Sequence, residues 1–216
     1  MTTDSSSRVG LGGVFDLLLG LVANVTVLLG VVVWGWPPGN VWIAFWLESV
    51  SVGVTTGLRL YRRGPKSTLM DHTFWTLWYG TFTLVQGVFV AITAWITGVR
   101  PDVTLAVLVV LVLVRGAAEA LSILAAPADG RPWLLVGPIT RMLVLHLGVI
   151  LGFGLALSAA GNSSLQNPVL SLGPWTLTGA AAPLAVLMTV KTLAELGVAG
   201  AWAARAAMRE RESDAS

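Results

Sequence analysis

Long apolar runs constrain this chain more than any other feature. Of its 216 residues, 55% are hydrophobic and only 11% are charged, whereas about a quarter of the residues in a soluble domain are charged. A helix needs roughly 20 mostly apolar residues to cross the hydrocarbon core of a bilayer. Six segments meet that requirement: 13–34, 40–60, 73–96, 103–125, 139–160 and 179–203. The sequence therefore predicts an all-α, multi-pass membrane protein with six transmembrane helices in one bundle.

The connections between these segments are short and rich in turn-forming residues, as in "GWPPGN", "GVRPD" and "GNSSLQNP". No hydrophilic stretch is long enough to form a second domain. We therefore expect one transmembrane domain over 13–203. Polar tails are predicted at 1–12 and 204–216.

Basic residues predict the orientation of the bundle, because Lys and Arg are retained on the cytoplasmic side. With the N-terminus inside, only Arg100 falls in an outer connection. The inner side then receives Arg8, Arg59, Arg62, Arg63, Lys66, Arg131, Arg205, Arg209 and Arg211. We expect a plasma-membrane protein, embedded in the lipid bilayer, with both termini in the cytoplasm.

The composition excludes several kinds of site. The chain has no cysteine, so it forms no disulfide, thiolate nucleophile or iron–sulfur ligand. Its two histidines, His72 and His146, are too few for a histidine-rich metal site. A formal net charge of +2 is too small to indicate nucleic acid as a partner. We predict no metal and no cofactor; a second copy of the chain is a candidate partner.

Charged residues inside the apolar segments are the main functional signal. A central Arg, Lys or Asp costs roughly 2.5–3.5 kcal/mol on insertion scales, so such residues need a partner or water. Counting about 1.5 Å per residue along each helix places them in the middle to inner half of the bilayer. Asn24 and Gln86 are expected to donate interhelical hydrogen bonds. The predicted intramembrane polar cluster consists of Glu48, Gln86, Arg115, Glu119, Arg141, His146, Lys191 and Glu195.

Sequence spacing suggests how these charges pair. Arg115 and Glu119 are four residues apart, as are Lys191 and Glu195, so each pair shares a helical face. Glu48 and Arg141 have no opposite charge at that spacing, and we expect them to pair with each other. The charges of the three acids and the three bases in the cluster then sum to zero.

Three interpretations of the cluster stay open. The charges hold the bundle together as salt bridges, or they line a water-filled cavity for an ion, a proton or a small polar solute. In the third interpretation Glu48 and His146 are the acid–base pair of an intramembrane, lipid-acting hydrolase. The sequence favours an ion- or proton-linked channel or transporter-like protein. It identifies no catalytic residue and no solute.

Four stretches carry a family resemblance: "FWLESVSVGVTTGLRL" (45–60), "WYGTFTLVQGVFV" (78–90), "GPITRMLVLHLGVILG" (137–152) and "VLMTVKTLAEL" (186–196). Together they resemble a family of prokaryotic multi-pass membrane proteins known as domain of unknown function 6498. The resemblance extends from the first span to about residue 200. It implies a membrane bundle and supplies no activity.

The match to this family is partial at its polar positions. Its pattern has Trp-Leu-Glu-Asn in the second span, His-Tyr-Gly-Gly-Phe and His-Gly in the third, Arg and Leu-His in the fifth, and Lys followed by an acid in the sixth. The residues that fit are Trp46-Leu47-Glu48, Arg141, Leu145-His146, Lys191 and Glu195. The departures are Ser49, Trp78, Thr81 and Gln86. Two of them replace histidines, so the resemblance implies no metal or haem site here.

Overall fold

Six helices make up most of the part of the chain that the structure describes. The computed structural model describes residues 6–62, 69–125, 136–161, 167–172 and 175–194, together with 196, 197 and 200. The first five helices are α1 (Ser6–Val32), α2 (Pro38–Arg62), α3 (Leu69–Thr97), α4 (Val103–Ala125) and α5 (Val136–Gly161). The described part of the sixth, α6, is Ala182–Ala194. The predicted number of helices is confirmed, although α1 begins inside the segment predicted as a polar tail.

A short β-hairpin lies between α5 and α6. Strand β1 (Pro168–Leu172) pairs antiparallel with β2 (Trp175–Thr178), and β2 contacts α1. The sequence predicted a short connection here, and the structure adds a two-stranded hairpin to it. Strand β2, "WTLT", alternates apolar and polar residues, a period of two that favours a strand over a helix.

The turn between α3 and α4 is fastened to the start of α2. The backbone N–H of Gly39 donates to the carbonyl oxygen of Gly98 at 3.0 Å. Gly98 has a φ of 88°, a left-handed conformation that glycine adopts readily. The Asn40 side chain donates to the carbonyl oxygen of Arg100 at 2.8 Å and accepts its N–H at 3.0 Å. These bonds fix the register of α2 against both neighbouring helices.

Asp102 starts α4 as its N-cap. Its carboxylate accepts the backbone N–H groups of Thr104 and Leu105 at 3.0 and 3.3 Å. These donors have no partner inside the helix, so the cap satisfies them. The same carboxylate oxygen lies 3.3 Å from the Asn40 amide nitrogen, which joins the cap to the start of α2.

The bundle buries polar side chains and exposes apolar ones. Large exposed hydrophobic residues include Leu77, Leu84, Leu113, Leu121 and Leu151. Buried polar residues include Asn24, Asn40, Thr56, Gln86 and Lys191. An apolar exterior of this extent is expected where the surroundings are apolar too.

Three helices of the described chain are long and apolar enough to cross a membrane: Pro38–Arg62, His72–Thr97 and Val103–Ala125. The described apolar parts of the other three are shorter, at Gly20–Val32, Met142–Ser158 and Ala182–Ala194. The fold is therefore compatible with a membrane protein.

Helix α2 is the centre of the bundle and packs against α3, α4 and α5. Its Trp42 is fully buried and lies over Gly152 of α5, where an added Cβ would overlap the indole ring. On its α3 side, the Tyr79 ring lies over Gly53 in the same way. Glycine lets membrane helices approach closely, so these contacts set the helix spacing.

We predict that Gly152→Ala lowers the melting temperature of the purified protein in detergent. The new methyl group overlaps Trp42, and overpacking of this kind costs about 1–3 kcal/mol. Gly154→Ala is the matched control, because the same helix offers open space there. This control should be neutral or slightly stabilising. Equal melting temperatures for the two variants would contradict the close α2–α5 contact.

Candidate functional site

One carboxylate joins three helices in the middle of the bundle. Glu48 of α2 accepts a hydrogen bond at Oε1 from Nη1 of Arg115 on α4, at 2.9 Å. Its other oxygen, Oε2, lies 3.0 Å from Nζ of Lys191 on α6. Each carboxylate oxygen therefore contacts a different cation. Charge-assisted hydrogen bonds of this length are among the strongest in proteins.

Lys191 connects this group to a fourth helix. Its side chain is 2% exposed, and Nζ donates to Oδ1 of Asn24 on α1 at 2.6 Å. Nζ also lies 5.7 Å from the centre of the Phe45 ring, within the range of a cation–π contact. An ammonium group carries three donors, and Glu48 and Asn24 accept two of them. A buried lysine is stable only with such partners.

A second ion pair lies further along α2 and α4. Nη2 of Arg59 donates to Oε1 of Glu119 at 2.8 Å, and the Thr55 hydroxyl contacts the same oxygen at 3.3 Å. Two residues of α2 thus bind one carboxylate of α4. Arg62, at the end of α2, donates to the backbone carbonyl of Ile123. These contacts hold the C-terminal halves of α2 and α4 together.

A cavity of about 50 Å³ opens between α1, α2, α4 and α6. Its polar wall consists of Asn24, Glu48, Ser51, Arg115, Glu119 and Lys191, and the remaining lining is mostly apolar. One water needs about 10–15 Å³ by this measure, so the cavity has room for a few waters or a small solute. The Glu48 carboxylate and both of its cations border this space.

The predicted cluster is divided into two parts. His146 of α5 lies away from the cavity, with Nδ1 2.8 Å from the carbonyl oxygen of Met142 and its ring edge-on to Tyr79 and Phe82. Gln86 is 3% exposed, and its amide atoms have no hydrogen-bond partner among the described residues. Neither residue lines the cavity within the described chain.

The geometry of the described residues does not indicate a metal-binding site. Within the described ranges, no group of three or more histidine and acidic side chains is arranged as metal ligands would be. The cations beside Glu48 occupy the positions where a metal ion would otherwise approach that carboxylate. The arrangement is suited to binding a proton, an anion or water.

Comparison with known protein families gives one result. Residues 13–215 match the family model described as a family of unknown function, DUF6498. The chain belongs to this family. No curated protein and no solved structure gives a significant match. Membership of DUF6498 confirms the resemblance noted in the sequence, and any activity must be argued from the site itself.

In this DUF6498 protein the three ion pairs described above connect different helices. Spacing along one helix predicted Arg115 with Glu119, and that pair stays a prediction; the structure shows Arg115 in contact with Glu48 of α2 and Glu119 in contact with Arg59. Arg59 was assigned to the inner membrane surface by its sequence position, and α2 extends past it to Arg62. Its role as the partner of Glu119 was therefore missed.

Two predicted pairs cannot be compared with the structure. The side chain of Arg141 and the whole of Glu195 lie outside the described residues. The pairs Glu48–Arg141 and Lys191–Glu195 therefore stay predictions. Asn24 forms an interhelical hydrogen bond as expected, but in its bond with Lys191 it is the acceptor and Lys191 is the donor. A lone amide in an apolar helix was the signal for this bond.

Proposed function

We propose that this protein is a multi-pass membrane protein that moves a small solute or ion together with protons through the cavity beside Glu48. The observation that carries the proposal is the position of Glu48, which contacts two cations from two other helices and also borders a water-sized cavity. Ionisable groups inside a membrane mark ion and solute pathways. The cluster is thus a binding site in addition to a packing contact.

The proposed membrane arrangement is six transmembrane helices with both termini in the cytoplasm. The apolar exterior of the bundle and the three long apolar helices support insertion. The excess of Lys and Arg in connections on one side supports the orientation. The solute would then meet the charged part of the cavity from the cytoplasmic half.

Labelling of single cysteines tests this arrangement. The natural chain has no cysteine, so every introduced thiol reports its own position. Lys66→Cys and Arg209→Cys should react with a membrane-impermeant maleimide only after the cytoplasmic side is opened. Ser164→Cys should react in intact cells. The reverse labelling pattern would overturn the orientation, and labelling of all three in intact cells would exclude the topology.

Proton binding at Glu48 offers a physical link to helix movement. Glu48, Arg115 and Lys191 together carry a formal charge of +1, and protonation of the carboxylate raises it to +2. Oppositely charged groups near 3 Å interact strongly where water is scarce, so removing the negative charge weakens the attraction of α2 for α4 and α6. A carrier needs this kind of coupling between occupancy and helix packing.

We predict that Glu48→Gln abolishes pH-dependent flux in proteoliposomes while the variant stays folded. Glutamine keeps the shape of the side chain and cannot take up a proton. The measurement is the change in internal pH, read with an enclosed dye, after an acid jump across the vesicle membrane. Arg100→Gln is the control, because it removes a charge in an exposed turn away from the cavity, and its flux should equal that of the unchanged protein.

The packing interpretation makes the opposite prediction for stability. In a sealed network, Glu48→Gln leaves buried cations without their carboxylate, and breaking a buried pair costs roughly 3–5 kcal/mol. The double variant Glu48→Gln with Lys191→Met would then regain much of the loss. A large stability loss that the double variant restores, with no flux in the unchanged protein, would refute the transport proposal.

The hydrolase interpretation gains no support from the geometry. Its two residues were Glu48 and His146. Glu48 borders the cavity, whereas His146 contacts the Met142 carbonyl and two aromatic rings and does not line the cavity in the described chain. We therefore propose no catalytic role for this pair.

A further inference from the structure

We infer that the solute is a short-chain monocarboxylate, which replaces the Glu48 carboxylate between Arg115 and Lys191 when Glu48 binds a proton. This inference names the substrate class for the site described above, and so it rests on the proposed function. The arrangement of the cations, the shape and lining of the cavity, and the charge balance all favour such a ligand.

The cations are already arranged to bind a carboxylate. Arg115 and Lys191 come from different helices and contact different oxygens of one carboxylate, at 2.9 and 3.0 Å. Guanidinium groups bind carboxylates with directed hydrogen bonds, and an ammonium acts as a compact charge. The Glu48 head group therefore shows how a soluble carboxylate would be bound. Lys191 is fixed in place by Asn24, so this half of the site is preorganised.

The cavity limits the rest of the ligand to a small apolar group. Towards the N-terminal ends of α2 and α4, the lining consists of apolar side chains, among them Val41, Ala44, Leu108 and Val112. An alkyl group of about two or three carbons fits a space that holds a few waters. Chloride has no apolar group that could contact the apolar wall. A dicarboxylate would place its second charge against that wall, at a high desolvation cost.

Charge balance links anion binding to proton binding. A second carboxylate beside an ionised Glu48 is opposed by like-charge repulsion, and a proton on Glu48 removes that repulsion. One proton and one monocarboxylate then enter together, with no net charge moved. Among the described residues, the charged groups around Glu48 are Arg115 and Glu119 of α4 and Lys191 of α6. Tyr79 of α3 donates to the neighbouring Ser49 carbonyl oxygen, and His146 of α5 lies edge-on to that tyrosine.

Propionate binding to the purified full-length protein in nanodiscs tests this inference. Isothermal titration calorimetry would be run at several pH values, with propionamide, chloride and malonate as comparison ligands. Propionate should bind in preference to the other three. Its affinity should rise by up to about tenfold for each unit that the pH falls, the limit for one proton taken up per anion.

Two variants add a second test. Glu48→Gln should bind propionate with little pH dependence, because its side chain is neutral at every pH. Lys191→Met should lose at least about tenfold in affinity, since removing a charged hydrogen-bond donor costs about 1.5–3 kcal/mol. Arg100→Gln should behave like the unchanged protein. If either cavity variant fails to fold, the ligand series on the unchanged protein still decides the question.

The outcomes separate this inference from the proposed function. Equal binding of propionate and chloride, or no binding of propionate, would overturn the inference. Persistent Glu48-dependent flux in liposomes would then leave the proposed function standing with another solute. Absence of any pH-dependent flux would refute the proposed function as well. Propionate binding with the same affinity at every pH would refute the exchange with Glu48.

Discussion

The contact between Glu48 and Lys191 is the interaction on which the arrangement of the candidate site depends. The Lys191 side chain is 2% exposed, and a buried ammonium group in an apolar bundle needs hydrogen-bond acceptors. Glu48 supplies a carboxylate and Asn24 a carbonyl oxygen, so the ammonium draws α1, α2 and α6 together. Arg115 joins α4 to these helices by its contact with the other Glu48 carboxylate oxygen. Apolar contacts alone would leave these helices free to pack in several registers.

The same contact is central both to the packing interpretation and to the proposed transport. A carboxylate between two cations stabilises a helix arrangement, and its protonation weakens that arrangement. At the N-terminal end of α2, Gly39 and Asn40 hold the α3–α4 turn by hydrogen bonds to the backbone groups of Gly98 and Arg100, which do not titrate. Movement driven by protonation would therefore be concentrated at the level of Glu48. The cavity lies at this level.

The sequence predicted the helices well but did not predict the interhelical contacts of Arg115 and Glu119, for one physical reason. Apolar length and turn residues determine where a helix begins and ends, and both are local properties. Which charges meet depends on how each helix is rotated and how far it slides past its neighbour. Arg115 and Glu119 share a helical face, yet each contacts a residue of α2. The hairpin formed by Pro168–Leu172 and Trp175–Thr178 was missed because strands this short give a weak signal beside six long apolar runs.

Infrared difference spectroscopy of the folded protein tests the central claim most directly, namely that the Glu48 carboxylate exchanges a proton while the bundle stays intact. On acidification, the account predicts a carboxylic-acid C=O band that shifts in D₂O and is missing from Glu48→Gln. The carboxylate bands should decrease over the same pH range in which the C=O band grows. If no Glu48-dependent C=O band appears at any pH where the protein remains folded, Glu48 is a permanent salt-bridge partner and the account is wrong.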